Sequence, residues 1–156
     1  MRKYLIIIFI SLTFGIFADE EFMIGLNEIN DKVYNVDLSS DQIYNKSILW
    51  IAENFKSAKN VIEYKDQDSK TIVGNGSAYT KWGYIFFSFS IQAKDGRYKI
   101  IYSDCGAGYS GHERYFSKQF TVKGERNTTF NLLNDLSQSL YDYLNKFSKK
   151  NEDDNW

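Results

Sequence analysis

The sequence has no proline, one cysteine (Cys105) and one histidine (His112) among 156 residues. A lone cysteine excludes an intramolecular disulfide, so the core must hold the fold by packing. The same scarcity excludes the usual structural zinc site, which needs four Cys or His ligands. The 10 glycines follow no period, no heptad run is sustained, and the one continuous apolar stretch lies at the very start. Collagen-like, coiled-coil and multi-span membrane architectures are therefore excluded. What is present is 43% hydrophobic, 25% charged and 17% aromatic residues, enough apolar material for one ordinary domain and too much for a disordered chain. The lack of proline and the abundance of Ile, Lys, Asn, Tyr and Phe carry no functional weight. No stretch of the chain names a substrate or a reaction.

The opening residues read as an export signal. Met1-Arg2-Lys3 is a short positive region, and an almost unbroken apolar run from Leu5 to Phe17 ends at Ala18, directly before Asp19-Glu20-Glu21. This is the layout of a secretory signal peptide. The run is several residues short of the roughly 20 that a membrane-spanning helix needs. Cleavage after Ala18 is the expectation, with no cysteine following to accept a lipid. The mature chain is expected to be periplasmic or extracellular, with no membrane span after signal cleavage. Of 19 basic residues Arg2 and Lys3 would leave with the signal, so 17 basic face 20 acidic residues and the net charge becomes −3. Mixed signs along the chain and an acidic end at Asn151-Glu152-Asp153-Asp154 argue against nucleic acid, which requires clustered Lys and Arg.

Residues 19–31 show no clear period and read as an N-terminal leader, either hanging on the surface or packing loosely through Phe22, Met23 and Leu26. The domain is expected over 32–150, with an acidic tail at 151–156. Val33 to Leu38 alternates as a short strand. Ser39-Ser40-Asp41-Gln42 then forms a capping box, opening a helix that should run to about Lys56. Tyr44, Ile48, Ile51, Ala52 and Phe55 share a narrow arc of its wheel and form the expected buried stripe. Ile43 and Trp50 fall off that stripe as a second small patch.

Strands are expected at Lys59 to Tyr64, Thr71 to Tyr79 and Tyr84 to Lys94, the first two separated by the polar loop 65–70. In the third, Ile85, Phe87, Phe89, Ile91 and Ala93 alternate with Tyr84, Phe86, Ser88, Ser90, Gln92 and Lys94. Asp95-Gly96 supplies a two-residue type I′ turn, with positive φ at both residues. Register follows: Lys94 pairs with Arg97. On one face lie Ala93/Tyr98, Ile91/Ile100 and Phe89/Tyr102, and on the other Gln92/Lys99, Ser90/Ile101 and Ser88/Ser103. One face is apolar and the other mostly polar, as for a sheet covered by helices on a single side. Residues 105–125 form a glycine-rich connection with a short strand at about Tyr115 to Val122. Thr128 or Thr129 then caps a second helix to about Ser148, with Leu133, Leu136, Leu140, Tyr143, Leu144 and Phe147 inward and lysines in its last turn.

The stretch from Tyr34 to Asp104 resembles a bacterial domain of unknown function with a TATA-binding-protein-like fold. The resemblance rests on the Ser-rich helix start, Ile48-Leu49-Trp50-Ile51 and Phe55, Lys59-Asn60-Val61-Ile62-Glu63-Tyr64, Thr71-Ile72-Val73-Gly74-Asn75-Gly76, and the hairpin Lys94-Asp95-Gly96-Arg97-Tyr98-Lys99. It implies an α+β fold: an antiparallel sheet of about five strands with two helices packed on one face, in the order β-α-β-β-β-β-α, found in exported proteins. It carries no activity to transfer, and fold alone does not imply DNA binding. The glycine-rich segment after Asp104 lies outside the resemblance.

Cys105 and His112 share one segment and raise the alternative of a small secreted thiol-dependent enzyme. Such a pair needs a fixed orientation and a third group to hold the base, which the spacing does not supply. Asp66-Gln67-Asp68-Ser69 starts like a calcium loop, but Thr71 stands at the glycine position and Ser77 at the final acid position, so it reads as a solvated turn. Gly74-Asn75-Gly76 lacks the helix and lysine of a phosphate loop. Its two glycines fall on one strand face, where they let a ring or helix approach. Three Asn-X-Ser/Thr triplets, at Asn45, Asn75 and Asn127, are discounted in a bacterial chain. No cofactor, metal or catalytic residue is expected. The remaining candidate is a binding face of Tyr84, Phe86, Ser88, Ser90, Gln92, Lys99 and Ile101, directed at an envelope protein or a small ligand. The other readings are a bland solvated surface, or a face over which the loop 105–125 folds.

Overall fold

The computed structural model describes residues 26–55, 58–81, 83–109, 112–115 and 123–153. The signal-peptide expectation for 1–18 lies outside them, as does the remainder of the leader. Its last residues, 26–31, form a helical turn (α1) that buries Leu26 and Ile29 in the core. The ordered unit therefore starts before Lys32. Asn30 explains the tight docking. Its side-chain amide donates to the Tyr102 carbonyl (2.9 Å) and accepts from the Tyr102 amide (2.8 Å).

The elements that follow are β1 (Tyr34–Asn35), α2 (Ser40–Asn54), α3 (Ala58–Val61), β2 (Ile62–Asp66), β3 (Thr71–Thr80), β4 (Gly83–Lys94), β5 (Arg97–Tyr109), β6 (His112–Tyr115) and α4 (Lys123–Asp153). The antiparallel sheet has the order β1-β5-β4-β3-β2, with β6 added to β5. The first strand thus lies beside β5, pairing Tyr34 with Tyr98 and Asn35 with Arg97. Extrapolating this register puts residue 30 opposite Tyr102, so the Asn30 amide supplies the two bonds that a further strand residue would make.

The central hairpin follows the sequence pattern. All seven expected pairs, from Lys94/Arg97 to Ser88/Ser103, are present in the β4–β5 ladder. Ile85, Phe87, Phe89, Ile91 and Ala93 are buried. The turn differs from expectation: Gly96 has φ +75°, while Asp95 is not among the residues of positive φ. Tertiary bonds set this conformation. The Asp95 carboxylate accepts from the Ser40 amide (2.7 Å), the Gly96 carbonyl accepts from Val36, and the Gly96 amide donates to the Leu38 carbonyl.

The capping box at α2 forms as expected: Ser39 Oγ accepts from the Gln42 amide (3.3 Å), and Gln42 Oε1 accepts from the Ser39 amide (2.9 Å). Its buried face, however, is Ile43, Tyr44, Ser47, Trp50 and Ile51, while Ala52 is exposed. At about 100° per residue this face is turned by roughly 80° from the expected stripe. Ile43 and Trp50 are core residues, because α2 must face both the sheet and α4. Trp50 Nε1 donates to Ser139 Oγ of α4 (3.1 Å). On α4 the apolar side chains Leu133, Leu140 and Leu144 are fully buried, as are Thr129 and Ser137. Thr128 and Thr129 are interior residues of α4 rather than caps, donating to the carbonyls of Gly124 (2.8 Å) and Glu125 (2.9 Å).

Two further expectations are corrected. Residues 58–61 are a helical turn rather than the start of a strand. The glycine-rich segment continues β5 to Tyr109 and pairs with β6 at 112–115, rather than forming a loop; of the strand expected at 115–122 only Tyr115 is described, at the end of β6. The rest of that strand lies outside the described residues. Pattern reading misses this part of β5 because glycine is disfavoured in strands. A bulge also interrupts it: the register shifts between Phe86/Gly106 and Ser88/Ser103, and Asp104 takes φ +47° as the extra residue.

The two strand glycines act as expected. A Cβ on Gly76 would overlap the Phe87 ring and approach Phe55 Cε1 at 3.1 Å. One on Gly74 would meet the Val61 carbonyl oxygen and the Phe89 ring. Phe87 and Phe89 therefore lie flat across β3, and Phe55 stacks on Phe89 with centroids 6.0 Å apart.

Overpacking of this kind costs about 1–3 kcal/mol. Gly76→Ala is expected to fall in that range by urea denaturation and Gly74→Ala at or above its upper end, because the Val61 carbonyl cannot rotate away as a ring can. The Asp95 carboxyl is held below the usual carboxylate range, chiefly by the Ser40 amide bond. Its contribution to stability is present above the unfolded value of about 3.8 and lost as pH falls through the lower folded value. Asp95→Ala should therefore lower Tm at pH 7, with the deficit narrowing as pH drops below about 3.8.

Candidate functional site

Alternation along β4 and β5 places Tyr84, Phe86, Ser88, Ser90, Gln92, Lys99 and Ile101 on the side of the sheet away from the buried row. The apolar side chains of α2 and α4 join the opposite side, with Phe87, Phe89, Ile91, Ile100 and Tyr102. Tyr84 and Gln92 are exposed, and the other five residues are half-buried. Lys99 is the one charged member of the seven.

β3 extends the same face, a contribution absent from the sequence reading. Its register sets Tyr79 beside Tyr84, Ser77 beside Phe86, Asn75 beside Ser88 and Val73 beside Ser90. The available signal was the glycine pair: with Gly74 and Gly76 under the apolar rings, Asn75, Ser77 and Tyr79 must point the other way. A hydrogen-bonded chain crosses three strands here. Ser88 Oγ donates to Asn75 Oδ1 (2.8 Å), and Asn75 Nδ2 donates to Glu63 Oε1.

β2 pairs with β3 only as far as Gly74, whereas β3 stays paired with β4 to Thr80. The outer edge of β3 beyond Gly74 has no strand partner among the described residues. A cleft of about 930 Å³ runs around this edge. Phe55, Val61, Gly76 and Phe87 line its apolar side, and Asn75, Ser77, Tyr79, Tyr84, Phe86, Ser88 and Asp104 its polar side, with Asn54 and Asn60 between.

The structure separates the two residues of the thiol alternative. Cys105 is 7% exposed, faces the core and donates Sγ to the Ser103 carbonyl (3.7 Å). Burial, with the Asp104 charge adding, pushes the thiol up to about 12. His112 pairs with Tyr109, four residues along β5 from Cys105. At about 3.3 Å per residue the two backbones are roughly 13 Å apart along the strand. The turn at 66–69 is closed on itself: Asp66 Oδ1 accepts from the Asp68 amide (2.9 Å) and Oδ2 from Ser69 Oγ (2.8 Å). Among the described residues no cluster of His, Cys, Asp and Glu could hold a metal ion, and no helix is long and apolar enough to cross a membrane.

Comparison with known proteins agrees with this architecture. Residues 31–105 match the family described as a domain of unknown function (DUF4468) with TBP-like fold. The chain is similar in fold to a DUF4468 family protein from Bacteroides ovatus, at 18% identity and TM-score 0.57, covering 72% of this chain and 83% of that one. It is likewise similar to a TBP-like protein from Parabacteroides distasonis, at 15% identity and TM-score 0.56, covering 72% and 89%. No curated protein matches the chain.

The thiol geometry gives a direct test. At pH 8 Cys105 in the folded protein should react with iodoacetamide more than about a hundredfold slower than in urea-unfolded chain, in keeping with a buried thiol of raised pKa. A fast, pH-dependent reaction in the folded state would restore the thiol-enzyme alternative.

Proposed function

We propose that this chain, whose residues 31–105 belong to the DUF4468 family of domains with a TBP-like fold, is an exported, non-catalytic binding or assembly module that engages its partner through the open face of the sheet. The observation that carries this reading is the division of the sheet. Both long helices are spent on one face, leaving Tyr84, Phe86, Ser88, Ser90, Gln92, Lys99 and Ile101 on the other. Mixed aromatic and polar surface of this kind suits recognition, since rings give contact area at little entropic cost and hydroxyls and amides give direction. Export rests on the charged start, apolar run and Ala18 junction at residues 1–18. A net charge of −1 for the whole chain, with one lysine among the seven face residues, gives a phosphate backbone little to hold.

Phe86 and Lys99 are half-buried and outside the apolar core, so replacing both with alanine should leave the circular dichroism spectrum and Tm close to those of the parent. The parent, immobilised and exposed to envelope extract of its source organism, should retain a component that the double variant does not. Equal retention by a folded double variant would refute the open-face reading.

A further inference from the structure

We infer that the end of the open face, at the cleft beside the free edge of β3, is a site for a neutral oligosaccharide. This rests on the open-face reading and gives it a ligand class. The site is built from three cross-strand pairs in line: Tyr79/Tyr84, Ser77/Phe86 and Asn75/Ser88. At about 3.4 Å per residue they span roughly 14 Å along the strands, room for more than a single sugar ring.

Each pair supplies what a sugar requires. Tyr79 is 76% exposed and Tyr84 44% exposed, with ring centroids 5.1 Å apart in an edge-to-face arrangement. Each ring presents an apolar surface with a polar hydroxyl at its rim, matching a pyranose with its C–H face and equatorial hydroxyls. The Asn75 carboxamide is fixed by Ser88 on its oxygen and Glu63 on its nitrogen. A carboxamide has two donor hydrogens and two acceptor lone pairs. One of each remains, the complement of two neighbouring hydroxyls of one sugar. Ser77 and Asp104 add further acceptors on the same side.

The charge of the cleft narrows the class. Among the described residues its lining contains no lysine or arginine, and Asp104 is the one carboxylate. Among those residues a phosphate, sulfate or uronic acid would find no counter-charge, and a cation would find a single carboxylate without the ligand set a metal needs. An uncharged ligand with many hydroxyls is what remains. The main competitor is an extended peptide added to the β3 edge, which would bind through backbone amides and leave the tyrosine faces and the Asn75 carboxamide unused.

The test is a titration of the full mature chain with neutral hexasaccharides of glucose, xylose, mannose and N-acetylglucosamine, followed by amide chemical shifts and calorimetry. At least one should bind, shifting Asn75, Ser77, Tyr79 and Tyr84. Tyr79→Ala and Tyr84→Ala should each weaken it roughly tenfold or more, while Tyr→Phe at either position preserves the stacking surface and most of the affinity. Absence of binding by all four, or binding that both alanine variants leave intact, would overturn the saccharide assignment. So would shifts along Asn75–Thr80 produced by a pool of unstructured peptides and not by the sugars. The Phe86/Lys99 experiment judges the open face separately. Retention there without sugar binding would discard the ligand class and keep the face, whereas sugar binding with unchanged retention would do the reverse.

Discussion

The architecture depends on one close approach: Phe87 and Phe89 of β4 lie over Gly76 and Gly74 of β3, where any side chain would collide with them. With those two positions bare, the rings spread sideways across the sheet and Phe55 can stack on Phe89. A flat aromatic layer results, to which α2 and α4 add Trp50, Ile51, Leu133, Leu140 and Leu144. Because side chains alternate strictly along a strand, filling this side also decides the other. Asn75, Ser77, Phe86 and Ser88 face away from the core as a geometric consequence of the glycines.

The margins of this layered structure are secured by polar side chains standing in for backbone. Asn30 takes the place of a strand residue opposite Tyr102, and Asp95 reaches from the central turn to the first amide of α2. Between the layers, Ser137 donates its only proton to the Leu133 carbonyl (3.0 Å), so the Tyr102 hydroxyl 3.1 Å away must be the donor of their bond. The Asn30 and Tyr102 bonds satisfy polar groups that the one-sided core would otherwise strand, while the exposed Asp95 bond ties the turn to the start of α2.

Much of this was legible in the chain because its strongest signals are local. The β4–β5 register followed from alternation and a two-residue turn, the α2 start from its capping box, and the role of the glycines from their spacing. The failures share a different cause. The helical wheel of α2 offered two arcs, and contact with both the sheet and α4 selected the one containing Ile43 and Trp50. The conformation of Asp95 was set by Ser40, 55 residues earlier in the chain. The strand through Gly106 was hidden because its stability comes from partners on both sides, β4 and β6, rather than from its own residues. The polar half of the site shows the same limit: Asn75 and Glu63 become neighbours only once β2 and β3 are paired.

The two ends of the sheet differ in a way that bears on function. Toward the Asp95 turn, β1 flanks β5, β2 flanks β3, and the start of α2 is hydrogen-bonded to the turn itself. Toward Tyr79 and Tyr84, the β3–β4 hairpin outruns β2, and on the β5 side the bulge at Asp104 shifts the register before the ladder resumes from Phe86/Gly106 to Tyr84/Gly108. At this end Ile85 and Phe87 are buried, while Tyr79 and Tyr84 on the other face are exposed and pack on each other. The cleft and the edge of β3 that has no strand partner among the described residues lie at this same end, beside the exposed tyrosine pair and the fixed carboxamide.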